Sequence, residues 1–241
     1  MGMWELARIV FLGTMAGVLG TGAGGILLGL GRIPQGAELS FHLAFSSGVM
    51  LAVVFHDLLP EALALRGPGV TFAGVVLGTA ALPLLKPLFF PTGRGSLIQT
   101  GLFLGLGIAA HNFPEGLVIG AGYLASQELG FSLALALCLH NIPEGMAMAA
   151  PLLAGGVGRT SAVLLTIAAG LPMGLGALAG GLFGQLTPTT LAGTLGFAAG
   201  AMLFLVFHEL LPEANCLDFP LAATLGAIFG VMLGLGLLVI H

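Results

Sequence analysis

The sequence predicts an all-α polytopic membrane protein with eight transmembrane helices in inverted repeats, and three observations support this. Of 241 residues, 57% are hydrophobic and only 7% charged, against about 25% charged in soluble domains. Apolar runs of about 20 residues, enough to cross a bilayer, recur along the whole chain with short polar or Pro/Gly-rich breaks between them. A nine-residue segment also occurs twice, on runs expected to point in opposite directions. The net charge of −4 and the lack of any basic cluster give no reason to expect nucleic acid as a partner. The lipid bilayer is the expected surrounding medium.

The spans are expected at about 5–30, 39–62, 68–89, 98–123, 129–154, 160–184, 190–214 and 219–240, as one transmembrane unit covering 1–241. The first has no basic leader or small-residue cleavage site before it, so it is expected to stay as an anchor. Gly31 to Ala37 separates it from the second span, and Arg66 to Gly69 the second from the third. Pro87 to Ser96 precedes the fourth, and Ala125 to Glu128 turns it into the fifth. Gly155 to Arg159, Gln185 to Thr189 and Asn215 to Asp218 bound the sixth, seventh and eighth. Many of the 41 glycines fall four apart inside these runs, as in Gly101/Gly105, Gly116/Gly120 and Gly226/Gly230/Gly234. Such spacing lets helix backbones approach closely in lipid. Cys138 lies mid-helix and Cys216 in a turn, which does not favour a disulfide.

Orientation follows from the basic residues. Odd-numbered loops hold Arg32, Lys86, Arg94 and Arg159, while the N-terminus and even-numbered loops hold Arg8 and Arg66. Positive residues stay on the cytoplasmic side, so both termini are expected outside. The repeat consists of Val54 to Ala62, VFHDLLPEA, and Val206 to Ala214, VFHELLPEA. Its copies lie on spans 2 and 7, which run in opposite directions. Inverted repeats of this kind are a mark of alternating-access transporters.

The chemistry lies in a second duplication. His111-Asn112-Phe113-Pro114-Glu115-Gly116 and His140-Asn141-Ile142-Pro143-Glu144-Gly145 fall near the middle of spans 4 and 5. On a helix, His and Glu four apart share a face. Two carboxylates at bilayer depth cost roughly 5–7 kcal/mol, whereas an interhelical hydrogen bond in a membrane returns about 0.6. Packing does not explain the pair; a bound cation or a wet cavity does. Pro114 and Pro143 withhold N–H groups from the carbonyls of Ala110 and Leu139, and a kink is expected at each. Imidazole with carboxylate suits Zn²⁺ and other first-row divalent ions better than Mg²⁺ or Ca²⁺. His56, Asp57 and Glu61, and their counterparts His208, Glu209 and Glu213, are expected as outward and inward stations on a transport pathway. For Glu61 and Glu213, interfacial solvation explains the charge equally well.

The doubled HNxPEG pattern on adjacent spans resembles the ZIP (Zrt/Irt-like) family of divalent metal transporters, bacterial type, over essentially the whole chain. The resemblance implies a 3+2+3 arrangement of the eight helices and a plasma-membrane protein importing metal into the cytoplasm. Zinc would come first, with iron, manganese or cadmium as further cargo, and no cofactor apart from the transported ion. It implies a central site of His111, Asn112 and Glu115 with His140, Asn141 and Glu144, a Met50 ligand from span 2, and a cytoplasmic-side site at His208 and Glu209. Met173 stands where relatives with a two-metal centre carry a Glu in a Gly-Leu-x-Glu-Pro stretch, leaving open whether the centre takes one ion or two. The loop between spans 3 and 4 has no His, which argues against metal sensing there. Oligomeric state is open, a homodimer included.

An intramembrane metal-dependent hydrolase is the rival reading from another class, although no HExxH motif is present, and a passive metal channel is a third; the sequence leaves carrier and channel-like behaviour open. Imidazole binds metal only when unprotonated. Metal uptake is therefore expected to weaken as pH falls through about 6.5, the ordinary value for His. Binding titrations from pH 5 to 8 check this, and a flat affinity would contradict His ligation.

Overall fold

Hydrocarbon offers no partners to backbone N–H and C=O groups, so a lipid-embedded chain must satisfy them within helices or a closed barrel. The computed structural model, which describes residues 2–90, 96–183 and 187–238, takes the helical solution, with no strand among the described residues. The elements are α1 (Met3–Leu30), α2 (Ala37–Val53), α3 (Leu59–Phe89), α4 (Leu97–Ala125) and α5 (Gln127–Ala154). They continue as α6 (Arg159–Phe183), α7 (Pro188–Phe204), α8 (Leu211–Cys216) and α9 (Pro220–Leu238). A π-helical turn, Val54–Leu58, joins α2 to α3, and a second, Leu205–Leu210, joins α7 to α8.

Among the described residues, seven helical runs are long and apolar enough to cross a membrane. One of them, Ala37–Phe89, has 53 residues. At 1.5 Å per residue it would reach about 80 Å, far beyond the ~30 Å hydrocarbon core. It is broken at Gly67, whose φ of 70° and ψ of −176° depart from the helix just before Pro68. A positive φ costs glycine nothing, and the break falls within the expected Arg66 to Gly69 boundary. Starts elsewhere carry local signals. Ser96, Ser126 and Thr187 each accept an N–H from the first turn that follows, as N-cap side chains do. Arg94, Gln185 and the end of the eighth expected span, 239–240, lie outside the described residues.

Large apolar side chains cover the outside, and a set of polar ones is buried within the apolar core. Trp4, Phe11, Leu84, Phe131, Leu175 and Leu221 are exposed, whereas Thr21, Ser40, Ser46, His111, Asn112 and Asn141 are buried. Glycines bring the helices together. A Cβ at Gly78 would lie 2.0 Å from the Phe197 carbonyl oxygen of α7, and one at Gly230 would lie 2.0 Å from the Phe45 carbonyl oxygen of α2. Gly17 of α1 and Gly170 of α6 meet backbone to backbone, and Gly24 of α1 lies against Ile142 of α5. Gly116 and Gly120 of α4 lie against Met173 and Ala177 of α6. The principal pairings are α1 with α6 and α5, α4 with α5 and α6, α2 with α9, and α3 with α7.

A backbone cannot yield as a flexible side chain can, so Gly78→Val should push α3 from α7. Overpacking of this kind costs about 1–3 kcal/mol, and thermal unfolding in detergent should show a lowered midpoint. Gly236, with nothing within 4 Å of an added Cβ, should accept Ala without loss.

Candidate metal centre

A one-residue turn sets the register of the site. The Ser126 N–H bonds the Gly122 carbonyl at 3.0 Å, closing α4. Its hydroxyl accepts from the Leu129 N–H at 3.0 Å, opening α5. The two helices therefore return side by side, 29 and 28 residues long, with the two hexapeptides at similar distances from the turn. His111 and His140 fall at the midpoints of their helices, about 21 Å from each end at 1.5 Å per residue. Both helices run on unbroken through Pro114 and Pro143.

Across an antiparallel pair, four residues up one helix correspond to four down the other. His111 therefore faces Glu144 while Glu115 faces His140. His111 Nε2 lies 3.1 Å from both Glu144 oxygens, and His140 Nε2 lies 3.3 Å from Glu115 Oε1. All four are buried. Ligand atoms of His111, Glu115 and Glu144 lie within 4.8 Å of one another. Bonds to zinc of about 2.0–2.2 Å put tetrahedral donors about 3.4 Å apart, so the cluster could hold one divalent ion once these side chains draw together.

The asparagines divide their amides. Asn112 Nδ2 donates to the Ala169 carbonyl of α6 at 3.0 Å, and Asn141 Nδ2 lies 3.9 Å from Met173 Sδ. Asn112 Oδ1, Asn141 Oδ1 and Glu115 Oε2 are buried without a hydrogen-bond partner among the described residues. Buried acceptors left unpaired are rare and costly, and here three cluster around the same two motifs. A cation would satisfy them. Met173 is fully buried against Asn141. Met50 is buried one turn beyond Ser46, whose hydroxyl bonds the Pro143 carbonyl at 2.9 Å and holds α2 against the α5 motif.

The repeated VFHDL and VFHEL segments lie outside this cluster. Each forms the π-helical turn that ends its helix, with Leu59 N–H bonding Val54 O and Leu211 N–H bonding Val206 O. Pro60 and Pro212 follow without an N–H, leaving a carbonyl of the widened turn short of its donor. Turns of this type occur often at functional sites. His56 Nδ1 lies 3.1 Å from Asp57 Oδ1, both half-exposed. His208 Nδ1 lies 2.9 Å from Glu209 Oε1, but here the carboxylate is buried and also pairs with Lys86 of α3. In the sequence Lys86 reads only as a loop charge. Its one signal was that it is the chain's single lysine, at the end of an apolar span.

Because both Glu144 oxygens face His111, Glu144→Ala should weaken equilibrium Zn²⁺ binding by about tenfold or more. Calorimetry on purified protein checks this, with Glu38→Ala, on the far end of α2, leaving the affinity unchanged.

Known proteins resemble this chain over most of its length. A family model described as ZIP Zinc transporter matches residues 91–241. The chain is 33% identical over 198 residues to the zinc transporter GufA of Myxococcus xanthus, covering 80% of this chain and 69% of that protein. It is 35% identical over 229 residues to the zinc transporter ZupT of Chlorobium luteolum, covering 84% and 86%. With the ZupT of an Enterobacter species it shares 33% over 236 residues, covering 90% and 91%. With these relatives matched along most of their length, and with both hexapeptides inside the matched region, the chain belongs to the ZIP zinc transporter family.

Proposed function

We propose that this protein carries divalent metal ions, zinc first, across the plasma membrane into the cytoplasm by alternating access. The observation that carries the reading is the reciprocal His–Glu cluster buried at the midpoints of α4 and α5. Two ionised carboxylates and one divalent ion sum to zero charge, which removes most of the penalty of holding either in a low dielectric. Neutral imidazoles from His111 and His140 complete a four-donor set, the number zinc prefers. Asn112, Asn141 and Met50 would border it. Membership of a transporter family sets the hydrolase reading aside.

The chain is read as eight spans arranged 3+2+3, with residues 37–66 and 68–89 as separate crossings divided at Gly67. Matched packing supports inverted repeats. Gly74 and Gly78 lie against α7 as Gly226 and Gly230 lie against α2, at the same sequence offset that relates Asp57 to Glu209. Exchanging the halves also exchanges the α1–α5 and α6–α4 pairings. Arg32 and Arg159 line one surface cleft, in keeping with a shared cytoplasmic face and with both termini outside. Metal would enter past His56 and Asp57, bind between α4 and α5, and leave past His208 and Glu209. Met173, in place of a carboxylate, favours one ion in the centre over two.

Purified protein in sealed vesicles should accumulate ⁶⁵Zn saturably and faster when unlabelled zinc is loaded inside. Glu115→Ala and Glu144→Ala should each abolish that uptake. Undiminished uptake in both variants would overturn the assignment.

A further inference from the structure

The two copies of the repeat are unequal in one respect. In the outer copy, His56 and Asp57 are half-exposed and pair with each other. In the inner copy, Glu209 is only 8% exposed, and its Oε1 atom is shared between His208 Nδ1 and the Lys86 ammonium. A carboxylate this buried needs a counter-charge, and lysine supplies a compact one on a flexible stem. The offset that maps Asp57 to Glu209, and Gly78 to Gly230, maps Lys86 to Leu238, so the outer copy has no lysine at that position. Lys86 has a second contact as well, with its Nζ 4.6 Å from the centre of the Phe103 ring. That ring meets Phe204 edge-on, and Phe204 in turn stacks on His208 with centroids 4.6 Å apart.

Imidazole and carboxylate side by side form a pair suited to a divalent first-row ion, and the ammonium already occupies that carboxylate. We propose that Lys86 is a tethered counter-cation which a departing metal ion must displace from Glu209. The His208–Glu209 pair is thereby kept a weak, quickly vacated station. The Phe103 face holds the displaced ammonium by a cation–π contact, so Lys86 stays ready to return and expel the ion. The outer pair, without a lysine, holds metal by its own chemistry alone. Lys86 is thus a positioning residue for release. The inference rests on the route proposed above.

Zinc binding to the purified full-length protein separates the two. Wild type should show the central site, lost in Glu115→Ala. Lys86→Gln should add one further zinc site at least tenfold tighter than any second site of wild type. Lys86→Gln/Glu209→Gln should lose it, and Lys86→Arg should match wild type. In vesicles, Lys86→Gln should lower the maximal uptake rate several-fold with little change in KM, which loss of a merely structural ion pair would not do while adding a site. Should Lys86→Gln fail to fold, Lys86→Met serves the same comparison. A wild-type central site with no added site in the lysine variants, or an added site that survives Glu209→Gln, would overturn the role of Lys86. A wild type that binds no zinc would overturn the route itself, and this inference with it.

Discussion

Hydrocarbon cannot solvate a carboxylate, and the structure is organised around that constraint. Glu115 and Glu144 sit at the middle of the two central helices, where each meets an imidazole from the facing helix. This crosswise pairing requires α4 and α5 to be antiparallel and in one register, which Ser126 sets by ending one helix and starting the other. It requires shielding from lipid, which α1, α2 and α6 provide by packing around the pair. The shielding elements can come close enough only because glycines face them. Gly24 and Gly145 bring α1 onto α5, and Gly116 brings α4 onto α6.

Much of this was legible in the sequence. The breaks between spans were visible as Gly, Pro and polar residues, because a chain in lipid can leave the helix only where backbone groups find other partners. The merged run Ala37–Phe89 divides at Gly67, within the boundary read from Arg66 to Gly69. The hexapeptides were conspicuous because His, Asn and Glu are so costly at that depth. The pairing across the helices was less visible. Spacing places His111 and Glu115 on one face, but only the register of the hairpin shows that each finds its partner on the opposite helix.

Other features were hidden because they depend on tertiary contact. No local pattern marks a π-helical turn, although the shared LLP of both repeats points to a common disturbance once the turns are seen. The asparagines read as neighbours of the ligands; in the structure their amide nitrogens reach α6, at Ala169 and Met173, and leave the oxygens unpaired among the described residues. Lys86 looked like a loop cation, and its reach to Glu209 comes from the parallel packing of α3 on α7. The two repeats are thus alike in backbone and unlike in charge.

The central claim is that imidazoles from both α4 and α5 bind the same ion. X-ray absorption at the zinc edge, on protein loaded with one equivalent of zinc, tests it most directly. The account expects nitrogen and oxygen scatterers at about 2.0–2.1 Å with the outer-shell signature of two imidazoles, reduced to one in His140→Ala. A shell without imidazole scattering, or one that is the same in His140→Ala, would contradict it.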